Sequence, residues 1–203
     1  MSNSVYVWDK FIRVFHWSLV LLFGVCYLTG DDDSWLHVYS GYTILALVLL
    51  RIIWGIIGSK HAQFKDFIFS PTSIMRYTKS IFSGHAEHFL GHNPLGGLMV
   101  VALLVTLLTA SLSGLKLYAL ETGKGPFAGA PTISLVGVAY ADSDDDHEKH
   151  EDEGEDFWED IHEASVNLMI LLIVLHIAGV AWSSRMHHES LVKAMISGYK
   201  KRQ

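Results

Sequence analysis

The sequence predicts an all-α protein: an integral-membrane four-helix bundle with a surface helix in its cytoplasmic loop and a long acidic periplasmic loop. Three observations carry that prediction. Half of the 203 residues are hydrophobic and only 18% are charged, with mean hydropathy +0.30, whereas a soluble domain carries about a quarter charged residues. The apolar residues are gathered into four long runs separated by strongly charged stretches. The charges themselves are sorted by sign along the chain. Together these argue against a soluble globular enzyme. The one cysteine, Cys26, excludes a disulfide framework, an iron–sulfur cluster and a Cys-based zinc site.

Residues 1–203 read as a single membrane domain with spans at about 14–30, 35–58, 95–117 and 162–184. Val14 to Gly30 is uncharged and leads straight into Asp31-Asp32-Asp33, without the small-x-small cleavage pattern of a secretory leader. Trp35 to Leu50 is uncharged and continues beyond Arg51 as Ile52 to Ser59. Leu95 to Leu115 and Ala164 to Ser184 are uncharged runs of 21 residues each. Crossing the hydrocarbon takes about 20 helical residues at about 1.5 Å apiece, so every run qualifies. In the loop after the second span, Ser70-Pro71-Thr72-Ser73 precedes Ile74, Met75, Tyr77, Thr78, Ile81 and Phe82. That pattern reads as a capped helix lying along the membrane surface.

A fifth apolar stretch, Gly125 to Ala141, holds Pro126, Pro131 and three glycines and reads as an ordered loop or interfacial segment. Charge supports four spans rather than five. With four, one side holds Lys10, Arg13, Arg51, Lys60, Lys65, Arg76, Lys79, Arg185, Lys193, Lys200, Lys201 and Arg202, twelve of the 15 basic residues, while the other holds 17 of the 21 acidic ones. The positive-inside rule then puts both termini in the cytoplasm of a cell whose inner membrane the chain crosses. Residues 119–160 become a periplasmic loop. Its acidic run, Asp142 to Asp160, reads as solvated and mobile.

Ionisable side chains inside a span are costly and suggest function. His16 stands near the start of the first span, His37 near the start of the second, and His162 and His176 bracket the fourth. The last two are 14 residues apart, about 3.9 turns, so they share one helix face about 21 Å apart. Because spans alternate in direction, His16 and His176 fall at one depth, toward the cytoplasm, and His37 and His162 at another, toward the periplasm. Each pair suits one planar cofactor clamped between facing helices. Two axial imidazoles are a natural ligand set for an electron-transferring haem iron, and no Cys-x-x-Cys-His allows covalent attachment. The expectation is therefore two haems b, with the four histidines as metal ligands. Gly41 and Gly179, four and three residues after their histidines, leave room for a flat ring, though small residues also serve helix packing. Histidines that merely pack remain the alternative.

Several stretches resemble a known family. They are Trp8-Asp9 with Arg13 and His16-Trp17, His37 with Gly41, Arg51-Ile52-Ile53-Trp54-Gly55, and Gly91-His92-Asn93-Pro94-Leu95-Gly96. His162-Glu163, His176 with Gly179, and Glu189, Leu191, Ala194, Met195 and Gly198 complete the set. The sequence is similar there to the bacterial cytochrome b561 and nickel–iron hydrogenase b-type cytochrome family, which takes in the membrane subunit of formate dehydrogenases. The resemblance covers nearly everything except residues 116–160. It implies a four-helix bundle whose two bis-histidine haems b pass electrons between a quinone pool and a periplasmic partner, with His16, His37, His162 and His176 in the ligand positions. It also implies a candidate quinone-carbonyl site at His92 and Asn93. Asn93 as a helix cap with Pro94 in the first turn explains the same residues without a ligand. Only six residues separate Gly30 from His37, so a docking surface would rest mainly on the second, acidic loop.

Arg51 reads either as a partner for a haem propionate or as a side chain snorkelling to lipid phosphate; Lys116 invites the first reading at the other end. The acidic run with His147 and His150 fails the calcium-loop template, since His147 stands where glycine is required. His61, His85 and His88 receive no role. The expected function is transmembrane electron relay between the quinone/quinol pool and a periplasmic c-type cytochrome, whose basic surface the acidic loop would attract. An alternative is the membrane anchor of a periplasmic hydrogenase or dehydrogenase. A metal-binding sensor or transporter, or a passive anchor, are readings from other classes. Membrane lipids are expected neighbours, nucleic acid is not, and a homodimer stays open.

Overall fold

The computed structural model describes residues 4–30, 34–83, 87–129 and 146–201. In chain order the elements are β1 (Ser4–Tyr6), α1 (Lys10–Leu28), α2 (Trp35–Ile57), two single 3-10 turns (Lys60–Ala62 and Phe64–Asp66), α3 (Pro71–Phe82), α4 (Pro94–Thr122), α5 (Asp146–Met186), α6 (Leu191–Ser197) and β2 (Tyr199–Lys201). Helices α1, α2, α4 and α5 are long and apolar enough to cross a membrane. The molecule is thus an all-α membrane bundle with one small β ribbon.

Helix starts follow local chemistry. The Asp9 carboxylate accepts the Ile12 N–H (2.9 Å) to cap α1. Ser34 caps α2, and Ser70 caps α3 with Pro71 in its first turn, as the sequence predicts. Asn93 accepts the Gly96 N–H (2.7 Å) to cap α4, with Pro94 following. Each cap satisfies an N–H that the first turn would leave unpaired.

Two stretches depart from the loop expected at 119–160. Helix α4 runs on to Thr122, and α5 begins at Asp146 rather than near 162. Glutamate and lysine are strong helix formers and acidic residues complement the positive end of a helix dipole. A dense run of charge opposes a packed core without opposing a helix. The 41 residues of α5 span about 60 Å, about twice the hydrocarbon thickness. Of the apolar stretch Gly125 to Ala141, residues 130–141 lie outside the described residues, as do Asp31 to Asp33 and Asp142 to Asp145.

α1 packs on α2, α2 on α4, and α4 most extensively on α5, whereas α5 meets α1 and α2 only loosely. Ile44 and Val48 (α2), Leu107 (α4) and Met169 (α5) form the mid-bundle core, flanked by Phe23, Cys26 and Ile173. A second apolar cluster, Val7, Trp8, Ile12, Ala62 and Ala194, closes the end of the bundle that carries the ribbon.

That closure is a latch for which the sequence reading supplied no elements. β1 pairs antiparallel with β2, Ser4 opposite Lys201 and Tyr6 opposite Tyr199. Gly198, at φ +89°, ends α6, and its carbonyl accepts from Val7 N–H (2.8 Å) and Trp8 N–H (3.1 Å). The Arg13 guanidinium donates to the Ile196 carbonyl (2.6 Å) and the Trp17 indole to Met195 (3.4 Å), so α1 side chains cap the last turn of α6. Asp9 also joins α1 to the far end of α2, accepting from the Trp54 indole (3.0 Å) and from the Ser59 hydroxyl. Burial pushes the Asp9 carboxyl pKa up, but hydrogen bonds from Ser59, the Ile12 N–H and Trp54 outweigh it and hold the group below its ordinary value.

Asp9→Ala is therefore expected to cost about 0.5–2 kcal/mol through the lost cap alone, lowering the melting temperature of detergent-solubilised protein. A depressed folded-state pKa adds stability above the unfolded value, and that stability is lost as pH falls through the folded one. Melting curves from about pH 6 to about pH 3 should show Asp9→Asn with a flatter acid limb than the wild type.

Candidate functional site

The four spans bring the four histidines together in the pairs expected. His16 on α1 faces His176 on α5, ring centroids 6.4 Å apart, and His37 on α2 faces His162 on α5 at 6.1 Å. Both pairs lie across the gap where α5 stays loose against α1 and α2, and all four rings are only half-buried by protein. Met169, midway between His162 and His176, sits in the apolar layer that separates the two pairs.

Main-chain carbonyls orient the rings at one end. His37 Nδ1 is 3.0 Å from the Cys26 carbonyl on α1, and His162 Nδ1 is 2.9 Å from the Ala110 carbonyl on α4. A carbonyl can only accept, so Nδ1 carries the hydrogen on both rings and Nε2 keeps its lone pair, the tautomer a metal ligand requires. At the other end the His16 Nδ1 is buried without a partner. The Trp17 ring instead abuts the His16 ring edge-on at 5.1 Å.

These features fit a bis-imidazole haem. Two metal–nitrogen bonds of about 2 Å, plus about 1 Å from each nitrogen to its ring centre, put trans imidazoles about 6 Å apart, matching both pairs. Space for a flat ring is present: a Cβ built on Gly24, Gly41 or Gly179 meets nothing within 4 Å. An iron held by both imidazoles of a pair would have no position left for oxygen, which would suit one-electron transfer.

Arg51 follows His37 by 14 residues, the same step that separates His162 from His176, and so lies at the depth of the His16–His176 pair. It is 3% exposed, which rules out snorkelling to the surface. One Nη donates to the Ala62 carbonyl (3.0 Å), the guanidinium sits over Phe64 and Phe67, and the other Nη is buried without a partner. His92 lies half-buried between Trp8 (4.7 Å) and Phe67 (4.9 Å), its Nδ1 buried and unpartnered. Burial, then the nearby Arg51 and Lys200 charges, push its pKa down to about 3, so the imidazole is neutral. Asn93 spends its side-chain oxygen on the α4 cap. Lys116 is buried in α4.

The sequence reading missed the groups that hold these rings. Ser113 backs His162 at 3.4 Å, and a Cβ on Gly114 would stand 2.8 Å from the His162 ring. Ser113-Gly114 in mid-span is the one signal available for them. The carbonyls of Cys26 and Ala110 have no side-chain signature at all.

A four-span bundle with two facing imidazole pairs, one of them oriented by carbonyls, has the layout of a membrane b-type cytochrome. A sequence model of the prokaryotic cytochrome b561 family matches residues 7–198, and the chain belongs to that family. Relatives include a probable Ni/Fe-hydrogenase B-type cytochrome subunit of Azotobacter chroococcum mcd 1, 23% identical over 98% of this chain and 89% of the relative. Probable subunits of the same description from Rhodobacter capsulatus and Azotobacter vinelandii are each 22% identical over 98% of this chain, covering 82% and 89% of those proteins. No solved structure gives a significant match. The protein is thus a multi-pass membrane cytochrome with haem b, acting in electron transfer. Family membership sets aside the metal sensor or transporter, and among the described residues no group of three or more His, Cys, Asp or Glu is arranged to hold a metal ion.

Because an alanine methyl at position 114 would collide with His162, Gly114→Ala is expected to lower the haem retained per chain, measured as pyridine haemochrome, while the helical content read by circular dichroism stays unchanged.

Proposed function

We propose that the protein carries two haems b, one between His16 and His176 and one between His37 and His162, and relays electrons between them across the membrane. The two ring pairs at matching 6.4 and 6.1 Å separations support this most directly. Haem b supplies one-electron valence change at iron. The chain supplies the rest: four imidazole nitrogens, a separation of about 20 Å set by 14 residues of α5, and an apolar layer of Ile44, Val48, Leu107 and Met169 that keeps water out between the sites. Arg51, with its buried free Nη, is the partner for a propionate of the haem at its own depth.

The His16–His176 end is the cytoplasmic end of a bacterial inner-membrane protein, supported by the basic residues gathered there. Quinone exchanges electrons at that end, and His92 is its hydrogen-bonding contact: a neutral imidazole with a buried, unpartnered Nδ1 can donate to a carbonyl oxygen. Asn93 retains only its amide NH2 for such a contact. The periplasmic partner is a Ni/Fe-hydrogenase, a reading favoured by the relatives' printed names. A soluble c-type cytochrome is the second reading. The acidic, helical start of α5 favours it, since it would steer a basic carrier.

Purified protein is expected to hold two haems b per chain, falling to one in His37→Ala or His162→Ala and to the other one in His16→Ala or His176→Ala, with different α-bands lost in the reduced-minus-oxidised spectrum. One haem in the wild type, or the same band lost in all four variants, would overturn the pairing. The partner readings separate by salt: a hydrogenase should co-purify with the cytochrome through about 0.5 M salt, whereas electron transfer to a basic c-type cytochrome should slow steeply over that range.

A further inference from the structure

The segment joining α2 to α3 roofs the ribbon end of the bundle, and it carries a carboxylate–imidazole pair to which the electron relay gives no work. His61 Nδ1 lies 2.8 Å from Asp66 Oδ2, bridging the two 3-10 turns. Both side chains keep contact with water, at 18% and 26% exposure. The pair rests on Gly91, where a Cβ would stand 3.1 Å from His61 Nδ1 and 3.3 Å from Asp66 Oδ2. The next residue is His92. The same roof reaches the buried groups from two further points: the Ala62 carbonyl binds Arg51, and the Phe67 ring covers His92. The charged and titratable groups that act on His92 are Arg51, Lys200, His176 and His61. Of these, His61 is the one that joins a carboxylate partner to a side chain in contact with water.

Reducing a quinone takes two electrons and two protons: each carbonyl oxygen gains one O–H bond as the ring accepts the electron pair. The electrons arrive singly through the bundle. His92 is no proton store, because its imidazole is neutral and its Nδ1 is shut away from water. We propose that His61 and Asp66 form the proton relay between water and the quinone oxygen held at His92. The Asp66 carboxylate accepts the Nδ1 hydrogen of His61 and so leaves Nε2 as the nitrogen that collects a proton from water and passes it inward. The relay serves the oxygen held at His92, and the other oxygen exchanges its proton with water directly; in quinol oxidation both protons leave by the same two routes in reverse. This inference rests on the quinone reading proposed above, and it makes both residues positioning and relay groups rather than contacts of the quinone.

The test uses the haem-loaded protein in liposomes, a soluble quinone analogue, and stopped-flow reoxidation of dithionite-reduced haem in wild type, His61→Gln and Asp66→Asn. Quinone-analogue affinity is followed separately by tryptophan fluorescence quenching. Expected are unchanged haem spectra and analogue affinity in both variants, a reoxidation rate about tenfold lower at alkaline pH that approaches wild type as the pH falls, and recovery on adding imidazole. Free protons and small acids then replace the relay. Equal rates in wild type and variants at every pH would overturn the relay. So would a deficit independent of pH and untouched by imidazole, which marks the pair as a mere clasp. A wild type that neither binds the analogue nor is reoxidised by it would instead remove the quinone reading itself.

Discussion

A polar side chain within hydrocarbon must find its partner inside the protein, and the bundle is organised around that constraint. Its hydroxyls satisfy themselves locally: Ser113 donates back to the Thr109 carbonyl (2.9 Å) and Ser165 to that of His162 (2.8 Å). Imidazoles cannot bond back to their own helix in this way, so they reach across to neighbours. His37 ties α2 to α1, and His162 ties α5 to α4. Those two bonds tie two helix pairs with two side chains, and each leaves the ring's other nitrogen unspent. The orientation of these two rings is therefore a by-product of satisfying Nδ1.

Much of the motif that marks the family turns out to hold rather than to react. Asp9, Arg13 and Trp17 recur at four-residue steps, a spacing that keeps them on one stripe of α1. All three bond to the segments closing the ribbon end: Asp9 to Trp54 and Ser59, Arg13 to Ile196, Trp17 to Met195. His16 lies beside that stripe. A helix fastened at 9, 13 and 17 cannot rotate about its axis without breaking three contacts of about 1 kcal/mol each, so the latch fixes where His16 points. Gly198, at the other end of the chain, belongs to the same device through its bonds to Val7 and Trp8.

The spans, the caps at Ser70 and Asn93 and the depth pairing of the histidines were legible in the sequence because each depends on local pattern or on helical period. Hydropathy finds a span without knowing its neighbours, and a 14-residue step needs only 1.5 Å per residue. What escaped depends on distant or backbone groups. The latch joins Arg13 to a carbonyl 183 positions away. The acceptors for His37 and His162 are main-chain oxygens, which every residue has. Arg51 hid for a related reason: whether an arginine near a span end snorkels or is roofed depends on the 60–67 segment, whose two short turns no periodicity announces. The acidic start of α5 is the converse case: dense charge reads as a solvated loop, yet glutamate-rich segments form helices readily, and α5 begins at Asp146.

The two ends of the bundle differ in what they leave unsatisfied. At the His37–His162 end, carbonyls occupy the second ring nitrogens, and the protein alone sets the rings. At the His16–His176 end, His16 Nδ1, Arg51 Nη1 and His92 Nδ1 are all buried without partners. Three unpaired nitrogens at this end would cost several kcal/mol if nothing met them, so they suit acceptors supplied from outside the chain; Trp158 Nε1, on α5 four residues before His162, is likewise buried without a partner. The ribbon end also gathers histidines and a carboxylate with little exposure, His187 beside His88 and Glu189 paired to Lys200 (2.9 Å). Burial, followed by the neighbouring His88, pushes the His187 pKa down. Proton-bearing groups thus gather at the same end of the bundle as the unpartnered nitrogens of His16, Arg51 and His92.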